Sequence, residues 1–287
     1  MAFVAGRLAS LDELRALETM QTSIIGRDSP SAWSVPQLVS VVQSGGLLLG
    51  VRDEEMPEHP LVGALVDLLA DSGGHSSLHT AFRAVSSDAR NRGCAQILRH
   101  AERFIAKKTG VAVITWAIDP LRSVEAHIAF NKLGAIATGH ARNLYGDVGD
   151  RANRGLATDR LHIEWWLEAP RTLSVCDRGQ LPPHYRLGLH EMTVWTQTTL
   201  HASGVRAIVG HRHADHGRHV LVEIPVDLDR LRASGMSLAR DWRLATREAF
   251  ELLFEKGYVV VGFVHEGGRS FHLLERTSRG AVLGSGG

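Results

Sequence analysis

The stretch Ser86–Leu98, SSDARNRGCAQIL, places two arginines and an asparagine around a single glycine. Apolar residues with the spacing of one helical face follow it, so the stretch lies at the N-terminus of a helix. The free amides of a first helical turn and the positive end of the helix dipole favour an anion there. Gly93 lets the backbone approach an oxyanion closely, and Arg90 and Arg92 can add charge-assisted hydrogen bonds. The stretch is therefore a candidate phosphate cradle; the alternative is a solvated polar turn.

Strand patterns flank this stretch on both sides. Ser77–Val85 and the β-branched run Val111–Ile118 are predicted strands, and the segment between them is a predicted helix that stops at Gly110. A strand, a helix and a strand in so short a segment form a βαβ unit, whose two strands lie parallel. Periodicity predicts a core-facing side and an outward-facing side for the helix: Ile97, Leu98, Ala101, Phe104 and Ile105 face the core, and Arg99, Glu102, Arg103, Lys107 and Lys108 face outward.

The remaining patterns predict further elements and two domains. Leu11–Thr22 carries the apolar spacing of a helix, and two apolar runs, Gly45–Asp53 and Leu61–Ala70, flank a charged turn and predict an antiparallel hairpin. The regular apolar patterns give way to an irregular stretch near Pro170. Further along, a long amphipathic helix is predicted from Leu238, followed by another strand. We expect domains at residues 1–168 and 169–287.

Composition excludes several classes of protein. The 287 residues are 44% hydrophobic, with 32 Lys and Arg against 31 Asp and Glu, so nothing points to a nucleic-acid or membrane partner. No apolar run approaches the roughly 18 residues of a membrane span. The two cysteines, Cys94 and Cys176, support neither a disulfide framework nor a thiolate zinc site, which predicts a cytoplasmic protein. His211, His213 and Asp215 are possible metal ligands, but a solvated loop is favoured and we predict no metal.

The segment Val85–Ala95 resembles the acyl-CoA-binding motif of the GNAT superfamily of acyltransferases. A strand-ending valine precedes Arg/Gln-x-x-Gly-x-Gly/Ala with every fixed spacing kept, although Ser87 replaces a frequent proline and Ala95 replaces the second glycine. Asp119–Ala135 resembles the second motif of that family, a short loop and a helix ending Lys-Leu-Gly. Further segments along most of the chain are similar to a predicted, poorly characterised GNAT branch of comparable length.

This resemblance implies a fold class, a co-substrate and a binding site. The fold would be α/β, with a GNAT-like mixed, mainly antiparallel sheet flanked by helices and a second, smaller α/β domain that is a degenerate GNAT-like half. Acyl-CoA, expected to be acetyl-CoA, would lie splayed between the strands ending at Val85 and Ile118. The implied cofactor-binding residues are Val85, Arg90, Asn91, Arg92, Gly93, Cys94, Ala95, Ser123 and Phe130.

The transfer chemistry departs from the family pattern. Phe130 stands where the family places the tyrosine that protonates the departing thiolate, and a phenyl ring has no proton to give. Tyr145 is a candidate replacement acid, with loop anchoring as its alternative role. His79 is a candidate base because an ordinary imidazole titrates near neutral pH, although a structural role is the alternative. His127 and Glu164 are weaker candidates for the base, and Cys94 is expected to contribute its backbone rather than its thiol.

The sequence thus predicts an acyl-CoA-dependent N-acyltransferase that acts on an amine of a small molecule. One alternative is a non-catalytic acyl-CoA-binding or scaffold protein, which the missing motif tyrosine favours. Another keeps the fold but hydrolyses or decarboxylates a thioester. A homodimer is one of the oligomeric states that the sequence leaves open.

Overall fold

The computed structural model describes residues 3–26, 29, 32–90, 92–148, 153–180, 192–212 and 217–284. The chain divides into two compact units, residues 1–116 with 148–154 and residues 117–147 with 155–287. This division differs from the boundary expected after residue 168, because the strand Ile136–Ala141 pairs with the late strand Tyr258–Glu266. The domains 1–168 and 169–287 stay a prediction.

The first unit is a sheet with helices packed on it. Its elements in chain order are β1 (Phe3–Arg7), α1 (Leu11–Ile25), α2 (Val35–Gln43), β2 (Leu47–Asp53), β3 (Leu61–Asp71), β4 (Ser76–Val85), α3 (Cys94–Lys108) and β5 (Val113–Ile118). The strand order is β1-β2-β3-β4-β5. Neighbours are antiparallel except β4 and β5, which are parallel. The predicted N-terminal helix, hairpin and βαβ unit are confirmed.

Local sequence explains how α1 begins. Ser10 Oγ accepts the Glu13 amide at 3.4 Å, and the Glu13 carboxylate accepts the Ser10 amide at 2.9 Å. This reciprocal capping box satisfies two amides that a helix start leaves unpaired. The apolar side of α1 then packs with α2 on one face of β2 and β3, forming a core of Leu8, Leu14, Leu17, Met20, Leu38, Val41, Leu48, Ala64 and Val66.

Helix α3 covers the sheet with a different side from the predicted one. Arg99 and Glu102 are only 1% and 0% exposed, whereas Phe104, predicted to face the core, is 60% exposed. The prediction was right for the buried Leu98 and the exposed Lys107 and Lys108, and wrong for these charged residues and Phe104, because periodicity alone sends charged residues to solvent. Here Arg99 Nη1 lies 2.8 Å from the Glu102 carboxylate, and this internal pairing offsets the cost of burying either charge.

The start of α3 packs closely on β3 at a glycine. A Cβ atom added at Gly63 would lie 2.6 Å from Cys94 Sγ and 3.3 Å from Leu98 Cδ1. Real carbon atoms do not approach that closely, so the absence of a side chain at Gly63 lets the first turn of α3 rest on the sheet.

The second unit contributes its own strands and helices. Its strand order is β7-β6-β12-β13-β11-β8, and a two-stranded ribbon, β10-β9, stands apart from that order. Its elements are α4 (Ser123–Ala126), a π-helical turn (His127–Lys132), β6 (Ile136–Ala141), β7 (Arg160–Trp166), α5 (Pro170–Arg178), β8 (Thr193–Val194), β9 (Thr196–Leu200), β10 (Arg206–His211), β11 (His219–Ile224), α6 (Leu228–Ser234), α7 (Met236–Glu255), β12 (Tyr258–Glu266), β13 (Arg269–Arg276) and α8 (Arg279–Leu283).

The pairing among the strands of the second unit is again mainly antiparallel. The short contact of β11 with β8 is parallel, and β6 with β7, β12 with β13 and β11 with β13 are antiparallel. The prediction of a mixed, mainly antiparallel sheet flanked by helices is confirmed, as is the long C-terminal helix, observed as α7. Among the described residues, none of the helices has the length and apolar character needed to cross a membrane.

The contact between β3 and α3 predicts a specific cost for Gly63→Ala. The added methyl meets Cys94 Sγ, and overpacking of this kind destabilises by about 1–3 kcal/mol. Urea unfolding measures this cost. In a Cys94→Ala background, the same Gly63→Ala change should cost less than about half as much, because the sulfur is gone.

Gly6→Ala is the matched control for that measurement. A Cβ at Gly6, in strand β1, would meet no atom within 4 Å, so the variant should retain the wild-type stability. Equal costs for Gly63→Ala with and without the Cys94 sulfur would contradict the packing described.

Candidate functional site

Strands β4 and β5 part soon after they begin to pair. Their described ladder consists of Ser77 with Val113, Leu78 with Ile114 and His79 with Thr115. Strand β4 continues beyond it to Val85 while remaining paired with β3 on its other side. From residue 80 onward, this ladder leaves one edge of β4 without partners in β5. An unpaired strand edge presents amides and carbonyls that an extended ligand can bind.

A bulge lies in β4 just beyond the parting. Val66 of β3 is opposite Phe82, but the next residue, Asp67, is opposite Thr80, so Ala81 is an extra residue in β4. Bulges bend a strand and change the direction of its backbone groups. The edge of β4 that faces the gap therefore has irregular backbone immediately after the last residue paired with β5.

The candidate base His79 belongs to the last pair of this ladder. Its ring nitrogen Nδ1 lies 3.0 Å from Thr115 Oγ1, and that hydroxyl donates to the Leu78 carbonyl at 3.4 Å. A Thr115 hydroxyl that donates to Leu78 can accept from Nδ1–H, and in the neutral tautomer that carries this proton the lone pair lies on Nε2. His79 is opposite Leu68 in the ladder with β3, and Leu68 packs against the core beneath α1 and α2. His79 thus lies on the α1 and α2 side of the sheet.

The loop from β4 to α3 has the geometry expected of an anion cradle. A short 3₁₀ turn, Ser87–Ala89, is followed by the exposed Arg90 and by Gly93, whose φ of 85° is left-handed. A Cβ at Gly93 would meet no atom within 4 Å, so the backbone faces open space there. Helix α3 begins at Cys94 with no side-chain cap among the described residues. Its first-turn amides point toward the loop.

Arg92 has a second role that the sequence did not predict. Its Nη2 lies 3.2 Å from the buried carboxylate of Asp53, its Nη1 donates to the Asp88 carbonyl at 3.2 Å, and its guanidinium lies 4.8 Å from the Phe3 ring centroid. These contacts fix the loop against β1 and β2. Asp53 is 39 residues from Arg92, and no local spacing connects the two in the sequence.

Among the other residues predicted for the cradle, Cys94 has a side chain that is turned away into the core. Cys94 is buried, its sulfur faces Gly63, and burial raises the pKa of its thiol to about 11. A neutral thiol is a poor nucleophile, which agrees with the expected backbone role. Val85 and Ala95 are half-buried at the two ends of the loop, and the predicted Asn91 lies outside the described residues.

The second unit holds the other predicted site residues, which the contacts described for them do not join. Tyr145 is 50% exposed, its amide donates to Thr158 Oγ1 at 3.0 Å, and the Arg160 guanidinium lies 5.2 Å from its ring centroid. Ser123 Oγ donates to the Val226 carbonyl at 2.6 Å. Phe130 is fully buried in an edge-to-face contact with His272, with 5.7 Å between the ring centroids. The roles assigned to Tyr145, Ser123 and Phe130 stay predictions.

Charged side chains of the second unit also form ion pairs within that unit. Arg243 lies 2.7 Å from Asp119, and Arg247 lies 2.8 Å from Asp159. The weaker base candidate Glu164 accepts the Thr138 hydroxyl at 2.6 Å and the Trp166 indole at 2.7 Å. Within the described ranges, no group of three or more His, Cys, Asp or Glu side chains has the arrangement of a metal site. His213 and Asp215 lie outside those ranges.

No family model and no curated protein matches the chain. Solved structures are similar at low identity. The NatC complex bound to Gag peptide and CoA shares 14% identity with a TM-score of 0.47, over 58% of this chain and 99% of that one. Arabidopsis thaliana NAA60 in complex with acetyl-CoA shares 13% identity with a TM-score of 0.46, over 57% of this chain and 99% of that one.

A third similar structure is the ribosomal-protein-S18-alanine N-acetyltransferase from Escherichia coli. It shares 14% identity with a TM-score of 0.43, over 58% of this chain and 94% of that one. Likenesses at this level carry no argument about function. We therefore derive the function from the geometry of the site.

The environment of Cys94 predicts a selective alkylation pattern. A pKa of about 11 leaves a hundredfold less thiolate than the ordinary value of 9.0, and burial limits access further. In folded protein at pH 8, iodoacetamide should modify the half-buried Cys176 and leave Cys94 unmodified by peptide mass spectrometry.

Unfolding in guanidinium provides the control, because both cysteines should then react at similar rates. Modification of Cys94 in the folded protein as fast as Cys176 would contradict the backbone role. It would reopen the possibility of a nucleophilic thiol at the start of α3.

Proposed function

We propose that the chain is an acyl-CoA-dependent N-acyltransferase, with acetyl-CoA as the expected donor and an amine of a small molecule as acceptor. The observation that carries the proposal is the parting of β4 and β5 after His79 and Thr115, in the same unit as a glycine-led helix start. An unpaired strand edge suits the extended, amide-containing pantetheine arm of CoA. An uncapped helix N-terminus suits its diphosphate.

Each part of the proposed site has a defined task. The amides of Gly93, Cys94 and Ala95 would bind the diphosphate, and Arg90 is exposed at the loop, where it can add a charge-assisted bond. The arginine Arg92, tied to Asp53, would hold the loop in shape. The free edge of β4 would hydrogen-bond the amide groups of the pantetheine arm, as an added strand does.

The bound co-substrate supplies an activated acyl thioester, and the chain supplies proton transfer and orientation. His79 Nε2, left with its lone pair by the contact of Nδ1 with Thr115, would accept the proton that the attacking amine loses. Backbone amides near the bulge at Ala81 would stabilise negative charge on the carbonyl oxygen. The thiolate leaves with the electron pair of its bond to the acyl carbon as the carbon–nitrogen bond forms, and the role of Tyr145 as the acid that protonates it stays a prediction from the sequence.

A second candidate is an acyl-CoA-binding protein without transferase activity. The buried ring of Phe130, packed on His272 at the position where the resembled family has a tyrosine, favours it. Both candidates require acyl-CoA to bind, and they differ only in turnover.

Calorimetric titration with CoA and acetyl-CoA tests the site directly. We expect wild-type protein to bind both ligands and Gly93→Trp to lose at least about a hundredfold in affinity, close to 2.7 kcal/mol, because an indole would fill the cradle. Gly110→Trp is the matched control. Gly110 lies just beyond the other end of α3 with a similar φ of 77° and open space around it, so it carries the same strain away from the site.

Equal loss in both tryptophan variants would place the effect in folding rather than in the cradle. Absence of binding to wild-type protein would overturn both candidate functions.

Turnover separates the two candidates. Release of free CoA from acetyl-CoA, followed with a thiol reagent in the presence of a panel of small amines, should occur with wild-type protein. His79→Gln should lower kcat by about 10²–10⁴ without weakening CoA binding, since it removes only the base. Tight CoA binding with no amine-dependent release from any amine would favour the non-catalytic candidate, and release without an amine would indicate hydrolysis.

A further inference from the structure

A buried arginine of α3 reaches across to both parting strands. Arg99 Nη1 donates to Thr80 Oγ1 of β4 at 2.8 Å, and its guanidinium lies 4.0 Å from the ring centroid of Trp116 of β5. Thr80 and Trp116 each come directly after His79 and Thr115, the last pair of the β4 and β5 ladder. Arg99 therefore connects the two strands where their ladder ends.

The surroundings of Arg99 hold it in one position. Both oxygens of the Glu102 carboxylate lie 2.8 Å from Arg99 Nη1, and Thr80 donates to Glu102 at 3.0 Å. The side chains of Arg99 and Glu102 are 2% and 0% exposed, so little water screens their attraction. A planar guanidinium that is both paired with a carboxylate and laid flat on an indole has few alternative conformations.

A second acidic group, Asp67, lies in this cluster. Asp67 of β3, opposite Thr80, is fully buried, and neither of its carboxylate oxygens has a hydrogen-bond partner among the described residues. Burial, followed by the nearby charge of Glu102, raises the pKa of Asp67 well above its ordinary value. The carboxyl group of Asp67 therefore favours its neutral form more strongly than an exposed aspartate does.

We propose that Arg99, held by Glu102, is a positioning residue that fixes the separation of β4 and β5 and so sets the fit of the pantetheine arm between them. This inference rests on the proposed function, because it assigns that arm of acyl-CoA to the gap. Helix α3 would then serve two adjoining parts of the ligand: its first turn would bind the diphosphate, and Arg99, in its second turn, would fix the width of the gap that holds the pantetheine arm.

A comparison of two ligands distinguishes a positioning role of Arg99 in the gap from a general effect of Arg99 on the stability of the protein. CoA contains the pantetheine arm, whereas adenosine 3′,5′-bisphosphate is the nucleotide part of CoA without it. Affinity for CoA is measured by calorimetry, and affinity for the bisphosphate by ligand-observed NMR, which reaches millimolar dissociation constants.

The first variant is Arg99→Met with Glu102→Gln, which removes both charges together and leaves neither buried and unpaired. We expect its CoA affinity to fall about tenfold or more, and its affinity for the bisphosphate to stay within about twofold of wild type. Circular dichroism and thermal unfolding establish that the variant is folded. Lys107→Met, an exposed change on the same helix, is the control for loss of one positive charge and should leave both affinities unchanged.

Arg99→Lys is the second variant and keeps a charge beside Glu102. A lysine cannot both bond Thr80 and lie flat on Trp116, so CoA affinity should again fall while bisphosphate affinity is retained. If the double variant does not fold, the Arg99→Lys variant alone tests whether Arg99 positions β4 and β5.

The two measurements distinguish a failure of the proposed function from a failure of the role proposed for Arg99. Wild-type protein that binds neither ligand overturns the proposed function and this inference with it. Wild-type binding of both ligands that Arg99→Lys leaves unchanged overturns the role of Arg99 alone. Equal loss of both ligands in a folded variant also overturns it, because Arg99 would then support the whole site rather than the gap.

Discussion

The proposed site depends on one interruption in backbone pairing, the end of the parallel ladder between β4 and β5 at His79 and Thr115. Up to that pair, the two strands satisfy each other's amides and carbonyls. Beyond it, the ladders among the described residues pair β4 with β3 alone, and in the proposed site the other edge of β4 binds the ligand. Side chains on both faces mark the point of parting: His79 contacts Thr115 on the α1 and α2 side, and Arg99 joins Thr80 to Trp116 on the α3 side.

Several buried charges are paired around these features, and the pairing explains why those side chains can be buried. In the first unit, Arg99 with Glu102 lies under the parting strands and Arg92 with Asp53 fixes the cradle loop. In the second unit, two arginines of α7 form similar ion pairs: Arg243 and Arg247 bind the buried carboxylates of Asp119 and Asp159. Removing one member of such a pair leaves an uncompensated charge, so these contacts fix geometry as well as contributing stability.

The sequence predicted most elements of the first unit, because alternating and helical periodicities are local properties. It also predicted a cradle at the helix start now observed as α3, since a glycine between arginines is a local pattern as well; that the loop binds an anion stays a prediction. It did not predict the burial of Arg99 and Glu102 on α3. These two side chains can be buried because they pair with each other and with Thr80, which is distant in the sequence. Long-range partners such as Asp159 and Arg247, 88 residues apart, have no local pattern that connects them. The transfer residues His79 and Tyr145 stay predictions.

A crystal structure of the protein with CoA bound tests the central claim most directly. The account predicts diphosphate oxygens within hydrogen-bond distance of the amides of Gly93–Ala95, and pantetheine amides paired with the β4 edge beyond Thr80. A diphosphate bound away from the start of α3, or a pantetheine arm outside the gap between β4 and β5, would contradict it.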